Sequence, residues 1–192
     1  MTIREAGFSA DGVTREPVHT RCIEFECFRR SDGLFEVVGH LTDRKPYDFT
    51  PSCSSRVIPA NDPVHRMGVR VLLDIDLVVR AVDTYVNAFP YRECSGGGAA
   101  LQALVGLRVG TGWRREVGKR LPPADTCTHL REILIPLATA AIQGVNPFRA
   151  KGLLDGVGPE GKPVKVDSCY AYGSSREIVK QYWPEFHVPA NT

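Results

Sequence analysis

Several polar side chains stand where two predicted strands begin or end, and their types could support acid–base chemistry. His19 and Arg21 are two residues apart at the start of one strand, so side-chain alternation puts both on the same face. A guanidinium binds a carboxylate through two parallel hydrogen bonds, so this pair could hold an acidic substrate. Asp43, Lys45 and Tyr47 follow at the end of the next strand, where neighbouring charges could shift one another's pKa and supply a general acid or base. The alternative interpretation is a solvated strand face and a charged strand end.

A third strand carries the candidate residues His65 and Arg70 on opposite faces. His65 begins this strand and shares a face with Met67, whereas Arg70 lies on the other face. Arg70 is therefore either solvated or a buried ligand for an anion. We expect both His65 and Arg70 to bind substrate.

Cys127 and His129 stand at the predicted start of a long helix. The helix N-terminus lowers the pKa of a thiol and disfavours a charged imidazolium. A zinc site that also uses Cys94 or His65 is geometrically conceivable, but a Cys-x-His spacing without a second paired motif is a weak metal signal. Residues two apart on a helix do not face each other, so we expect no Cys–His nucleophile pair. We expect no bound metal, and a helix cap with a packed cysteine is the alternative interpretation.

The elements that would position these residues begin with two hairpins. Two β-rich runs, 18–30 and 34–42, flank Asp32-Gly33, which is the strongest short-range hairpin signal in a sequence. Residues 65–73 and 77–86 predict a second hairpin. The start of one antiparallel strand lies beside the end of its partner, so the polar residues of the first two strands should converge at one sheet end. A proline-rich loop, 46–63, leaves that same end as a lid would.

The second half of the chain changes its hydrophobic period. Helices are predicted over residues 99–107, 112–121 and 125–144, and Pro136 should kink the last of them or end its first turn. Residues 165–172 and 176–183 predict a third hairpin. The predicted fold class is α+β, an antiparallel β-meander of hairpins packed against a few helices. A single domain would span residues 17–192, after an N-terminal arm over residues 1–16.

Composition excludes several classes of protein. The 192 residues carry a net charge of only +2, with basic residues scattered along the chain, so a nucleic-acid partner is not expected. No apolar run approaches the roughly 20 residues of a membrane helix. The six cysteines show no paired spacing and the N-terminus lacks a signal peptide, which predicts reduced thiols in the cytoplasm. Nucleotide-binding motifs are absent and no cofactor is expected; homo-oligomer formation is left open.

Taken in order along the chain, the motifs resemble those of a known family. They are His19-x-Arg21, Asp32-Gly33-Leu34, Asp43-x-Lys45-Pro46, Gly110-x-Gly112-Trp113 and Cys127-Thr128-His129-Leu130. Together they resemble the bacterial domain-of-unknown-function family numbered twenty-eight eighty-nine, over roughly residues 17–183. The resemblance implies an association with cofactor-free lyases or decarboxylases of aromatic-compound catabolism.

We therefore expect a cofactor-independent lyase, most specifically a decarboxylase, that acts on a small phenolic aromatic acid. The residues expected to carry catalysis are Lys45, Tyr47, His19 and Asp43. The residues expected to bind substrate are Arg21, Arg70, His65 and His129. Two alternatives remain, a non-catalytic protein that binds a small molecule and a zinc-dependent hydrolase that uses Cys94, Cys127 and His129.

Overall fold

The computed structural model describes residues 14–149, 156–158 and 161–189, and its largest element is a four-stranded antiparallel sheet. The strands follow one another in the sheet in chain order: β1 (Thr20–Arg29), β2 (Phe35–Arg44), β3 (Pro63–Leu73) and β4 (Val79–Ala88). Helices cover one face of this meander. The predicted α+β class and the first two predicted hairpins are confirmed.

Local chemistry closes each hairpin. Gly33 adopts a positive φ of 84° at the β1–β2 turn, a backbone conformation that glycine takes without strain. At the β3–β4 turn the Asp74 carboxylate accepts backbone N–H groups from Asp76 and Val78, both at 2.9 Å. Such side-chain-to-backbone bonds stabilise a tight turn. The strands are thereby fixed in register.

Strand β2 alternates strictly between buried and half-buried residues, and this decides which side chains face the core. Phe35, Val37 and Leu41 are buried on the covered face. Asp43 continues the same alternation and is buried with them. A carboxylate therefore ends an otherwise apolar row, at the end of the sheet.

In the described part of the chain, three α-helices follow the sheet: α1 (Trp113–Arg120), α2 (Thr128–Val145) and α3 (Glu177–Tyr182). The first predicted helix is instead a short 3-10 segment, Ala99–Leu104. Helix α2 runs through Pro136 as one element, so of the two predicted effects, a kink or an end of the first turn, the second is wrong. Pro136 lies on the exposed side, while the opposite side of the helix buries seven apolar residues, and that burial outweighs one missing hydrogen bond.

Helix α2 lies close against the sheet because a small residue faces it. A Cβ atom on Gly39 of β2 would stand 2.5 Å from Ile133 of α2 and 2.8 Å from the ring of Phe25 on β1. Contacts that short do not occur, so glycine permits this close approach. The approach brings the first turn of α2 to the sheet end where Asp43 lies.

The predicted third hairpin is wrong. Residues from Lys165 to Ser175 form successive turns, and the segment after them is helix α3. Asp167 adopts a positive φ of 63°, and its carboxylate accepts the backbone N–H of Ser174 at 2.7 Å. The chain folds back on itself through these local bonds and offers no strand-length run for pairing.

The last features to compare with the sequence are the N-terminal arm and the length of the helices. Residues 1–13 of the predicted arm lie outside the described residues. Among the helices of the described part of the chain, none has the length and apolar character needed to cross a bilayer.

Candidate functional site

A row of polar side chains crosses three strands on the covered face of the sheet. The register pairs Arg21 of β1 with Asp43 of β2, and Asp43 in turn with His65 of β3. Side chains directly opposite each other in antiparallel strands are close enough to interact. The backbone register of the three strands therefore assembles this row.

Asp43 is the acceptor on which this row converges. The residue is only 2% exposed, and its carboxylate accepts Nε and Nη2 of Arg21 at 2.8 Å each. Nε2 of His19 lies 3.1 Å from Oδ1, and Nδ1 of His65 lies 3.0 Å from Oδ2. Burial alone would raise the pKa of Asp43, but the Arg21 guanidinium and the imidazoles of His65 and His19 hold that pKa below its usual value. Asp43 is thus an ionised, fully bonded carboxylate.

Helix α2 adds a second imidazole beside His65. The rings of His65 and His129 lie with their centroids 3.9 Å apart and their planes at 36°. Nε2 of His129 stands 4.0 Å from Oδ2 of Asp43, the oxygen that His65 also approaches. Burial and the neighbouring His129 hold the pKa of His65 below its usual value. Both rings therefore point a nitrogen toward a single carboxylate oxygen.

Cys127 caps helix α2 and contacts the same histidine. Its Sγ lies 3.9 Å from Nδ1 of His129 and 3.8 Å from Sδ of Met67. Burial would raise the pKa of this thiol, but the His129 side chain and the backbone N–H groups of Leu130 and His129 lower it. The expectation that residues 127 and 129 cannot touch is corrected here. Cys127 has ψ of 122° and lies outside the helix, so the helical spacing rule does not apply to it.

These side chains line one cavity of about 960 Å³ at the end of the sheet. The long loop after β2 contributes Phe49, Pro51 and Ser52, and the segment after β4 contributes Tyr91 and Cys94. The volume lies in the range of sites for small molecules. The sheet end of the cavity therefore carries the carboxylate and imidazole row, while the other walls mix aromatic residues with polar ones that include Glu93 and Asp125.

Lys45 is the first residue of the long loop after β2, and its side chain faces aromatic rings. Its Nζ stands 4.9 Å from the ring centre of Phe49 and 3.3 Å from the hydroxyl of Tyr47. Within the part of the chain that the structure describes, no carboxylate lies within ion-pair distance of Lys45. Lys45 is thus a cation in the cavity wall that could meet an anionic ligand.

Three of the residues could also hold a metal ion. Asp43, His65 and His129 each offer one ligand atom, and these atoms lie within 4.8 Å of one another. Cys94 and Cys127, which would bind zinc together with His129 in the alternative hydrolase, line the same cavity.

A comparison with models of protein families assigns the chain to one family. A family model described as a protein of unknown function, DUF2889, matches residues 19–143. The chain belongs to this family. The matched segment begins at His19 and extends beyond His129, so it includes the whole carboxylate–imidazole row, and the resemblance seen in the sequence is confirmed. Searches of curated proteins and of solved structures find no match.

Six of the eight predicted site residues of this DUF2889 protein meet in the cavity. They are His19, Arg21, Asp43, Lys45, His65 and His129. Tyr47 is 46% exposed and contacts Lys45, but it does not line the cavity. Arg70 lies on the opposite face of the sheet, where it pairs with Asp83 and Glu36. Arg70 lies five positions after His65, and because side chains alternate along a strand, this odd spacing already predicted that the two lie on opposite faces.

The sequence did not reveal how Arg21 is held. Nη1 of Arg21 donates to Glu132 of α2 at 2.8 Å, while Nε and Nη2 donate to Asp43. The guanidinium is therefore occupied by two carboxylates of this DUF2889 protein. Glu132 lies one residue before the buried Ile133 and carries no motif, so only the packing of α2 on β1 identifies it.

Proposed function

We propose that the protein is a lyase that acts on a small phenolic aromatic acid and, most specifically, decarboxylates it. The observation that carries the proposal is the bond from His65 Nδ1 to the buried carboxylate of Asp43. A carboxylate that accepts one ring N–H fixes the tautomer, so the lone pair of His65 resides on Nε2. Among the described residues Nε2 has no hydrogen-bond partner, and His65 lines the cavity. An oriented base of this kind is suited to proton transfer.

The proposed reaction needs one base, one cation and one proton from solvent. His65 removes the phenolic proton, the phenolate sends an electron pair through the conjugated system, and the carbon bearing the carboxylate takes up a second proton, which enters from solvent. One solvent proton is thus consumed for each carboxylate that leaves as CO₂. The bond to the carboxylate carbon then breaks and CO₂ leaves. Its electron pair restores the aromatic ring, and the phenolate takes its proton back. No oxidant or reductant is consumed.

The other side chains have separate roles in this proposal. Lys45 holds the substrate carboxylate, since its charge has no carboxylate partner among the described residues and lies beside aromatic rings. Arg21 becomes a positioning residue that fixes Asp43, in place of the carboxylate-binding role expected from the sequence. His129 and His19 complete the polar wall of the cavity.

Decarboxylation is tested directly with a panel of hydroxybenzoic and hydroxycinnamic acids, followed by loss of substrate absorbance and by CO₂ release. We expect turnover of at least one free phenol and none of its O-methyl ether, because the ether has no proton to give. Binding of a panel acid without CO₂ release would support the non-catalytic alternative and overturn the lyase.

Two substitutions locate the chemistry once a substrate is found. His65→Gln and Lys45→Met should each lower kcat/KM by about a hundredfold or more, the scale of a lost acid–base or charge-binding group. Arg66→Gln and Lys119→Met are the matched controls, since Arg66 is exposed next to His65 and Lys119 is exposed on α1. Near-normal turnover in the first two variants, with the fold intact, would contradict the proposed roles.

A further inference from the structure

We infer that Asp43, His65 and His129 form a binding site for one divalent transition-metal ion, of which Zn²⁺ is the representative. This inference goes beyond the proposed function, because metal binding is measured without any substrate.

The spacing of the three ligand atoms is that of a coordination sphere. Oδ2 of Asp43 lies 3.0 Å from Nδ1 of His65 and 4.0 Å from Nε2 of His129. The three atoms lie within 4.8 Å of one another. An ion bound at about 2.0–2.2 Å from each ligand separates neighbouring ligand atoms by about 3–4 Å. Coordination requires His65 to give up its Nδ1 proton and with it the bond to Oδ2, which frees one lone pair of Oδ2 for the ion while Nη2 of Arg21 keeps its bond at 2.8 Å.

The donor set selects the kind of ion. Two imidazoles and one carboxylate suit Zn²⁺, Co²⁺, Ni²⁺ and Fe²⁺, whereas Mg²⁺ and Ca²⁺ favour sites made of oxygen atoms. All three residues line the cavity of about 960 Å³. Three protein ligands beside a cavity leave a further coordination position for water or another small ligand, as in open zinc sites.

The surrounding residues hold the ligands in place. Arg21 and His19 bond the Asp43 carboxylate, and Sγ of Cys127 lies 3.9 Å from Nδ1 of His129. Partners of this kind orient metal ligands and sustain affinity. The positive charge of Arg21 is shared with Glu132, so the group keeps a net negative charge when the imidazoles are neutral.

Binding of the ion and the proposed base activity exclude each other. An ion on Nδ1 of His65 leaves the ring proton on Nε2, so the lone pair that would accept a phenolic proton is lost. The expected effect of Zn²⁺ on a decarboxylase is therefore inhibition. This consequence alone rests on the proposed function.

The test uses the full chain after removal of metals with EDTA and of EDTA by gel filtration. Zn²⁺ is added in excess, unbound ion is removed, and zinc is counted by inductively coupled plasma mass spectrometry. We expect about one ion per chain, and a Co²⁺ spectrum with visible d–d bands when Co²⁺ replaces Zn²⁺. Less than about one ion in ten chains would overturn the inference.

Variants decide which residues hold the ion. His65→Ala and His129→Ala should each weaken Zn²⁺ affinity by at least about tenfold, the least effect expected even for outer partners of a site. His129→Gln serves if an alanine variant fails to fold, which is judged by circular dichroism. His40→Ala is the control, because His40 lies on the opposite face and contacts the Tyr85 hydroxyl at 2.6 Å.

A double variant separates this site from a thiolate site. Cys94→Ser with Cys127→Ser should leave the zinc stoichiometry near one, whereas loss of zinc there with retention in His65→Ala would overturn the assignment. Turnover is measured separately on the EDTA-treated protein. An inactive protein that binds zinc at these residues rejects the lyase alone, and an active protein without zinc rejects the metal site alone.

Discussion

Most of the hydrogen bonds within the site involve one side chain, that of Asp43. Its two oxygens accept from Arg21 in β1, from His19 just before β1, and from His65 in β3. A buried charge is tolerated in a protein only when such partners surround it. The same partners also leave His65 with one defined tautomer. Removal of the charge should therefore affect both stability and chemistry.

Asp43→Asn should lower the free energy of unfolding by about 1.5–3 kcal/mol, because an amide cannot replace a carboxylate that accepts charged donors. Urea denaturation measures the change. Asp83→Asn is the matched control, since Asp83 is 56% exposed in its pair with Arg70 and should cost within about 0.5 kcal/mol. Equal losses in the two variants would show that the burial of Asp43 carries no extra stability.

At the scale of the elements, the sequence predicted the parts that local chemistry determines. The Asp-Gly turn and the alternation of β2 predicted the first hairpin, and alternation also separates Asp43 from the outward-facing Arg70. The third hairpin failed because the bonds of Asp167 close a local turn, which a short alternating run does not reveal. The contact between His65 and His129 depends on where α2 packs, and no local pattern encodes that position.

The close approach of α2 to the sheet is open to test through Gly39. Gly39→Ala places a methyl group against Ile133 and Phe25, so α2 must shift, and we expect a loss of about 1–3 kcal/mol in unfolding free energy. Gly118→Ala is the control. No atom lies within 4 Å of a Cβ at this helical position, so that change should stabilise by about 0.5–1 kcal/mol. A change in unfolding free energy of the same sign in Gly39→Ala and Gly118→Ala would contradict the packing argument.

At the scale of the whole molecule, the site exists only in the folded chain. Its candidate metal ligands come from β2, β3 and α2, at positions 43, 65 and 129, and the loops after β2 and β4 close the cavity around them. Residues this far apart in sequence do not stay together in the unfolded chain. The sequence could therefore indicate which strand end holds polar residues, but the helix that completes the site follows from long-range packing.

Because the metal site exists only in the folded chain, the thermal stability of the protein reports how fully an ion occupies that site. An ion that binds only the native chain stabilises it by RT ln(1 + [L]/Kd). Zn²⁺ at a hundred times its Kd should add about 2.7 kcal/mol, which for a chain of this length raises Tm by about 5–10 °C. Differential scanning calorimetry measures the shift. His129→Ala should lose most of the shift and His40→Ala should retain it, since His129 has a nitrogen near the Asp43 carboxylate and His40 contacts Tyr85 instead. Ca²⁺ at the same concentration should leave Tm unchanged, because the donor set contains two imidazole nitrogens. An equal rise with Ca²⁺, or a rise that survives His129→Ala, would place the stabilising ion elsewhere on the protein.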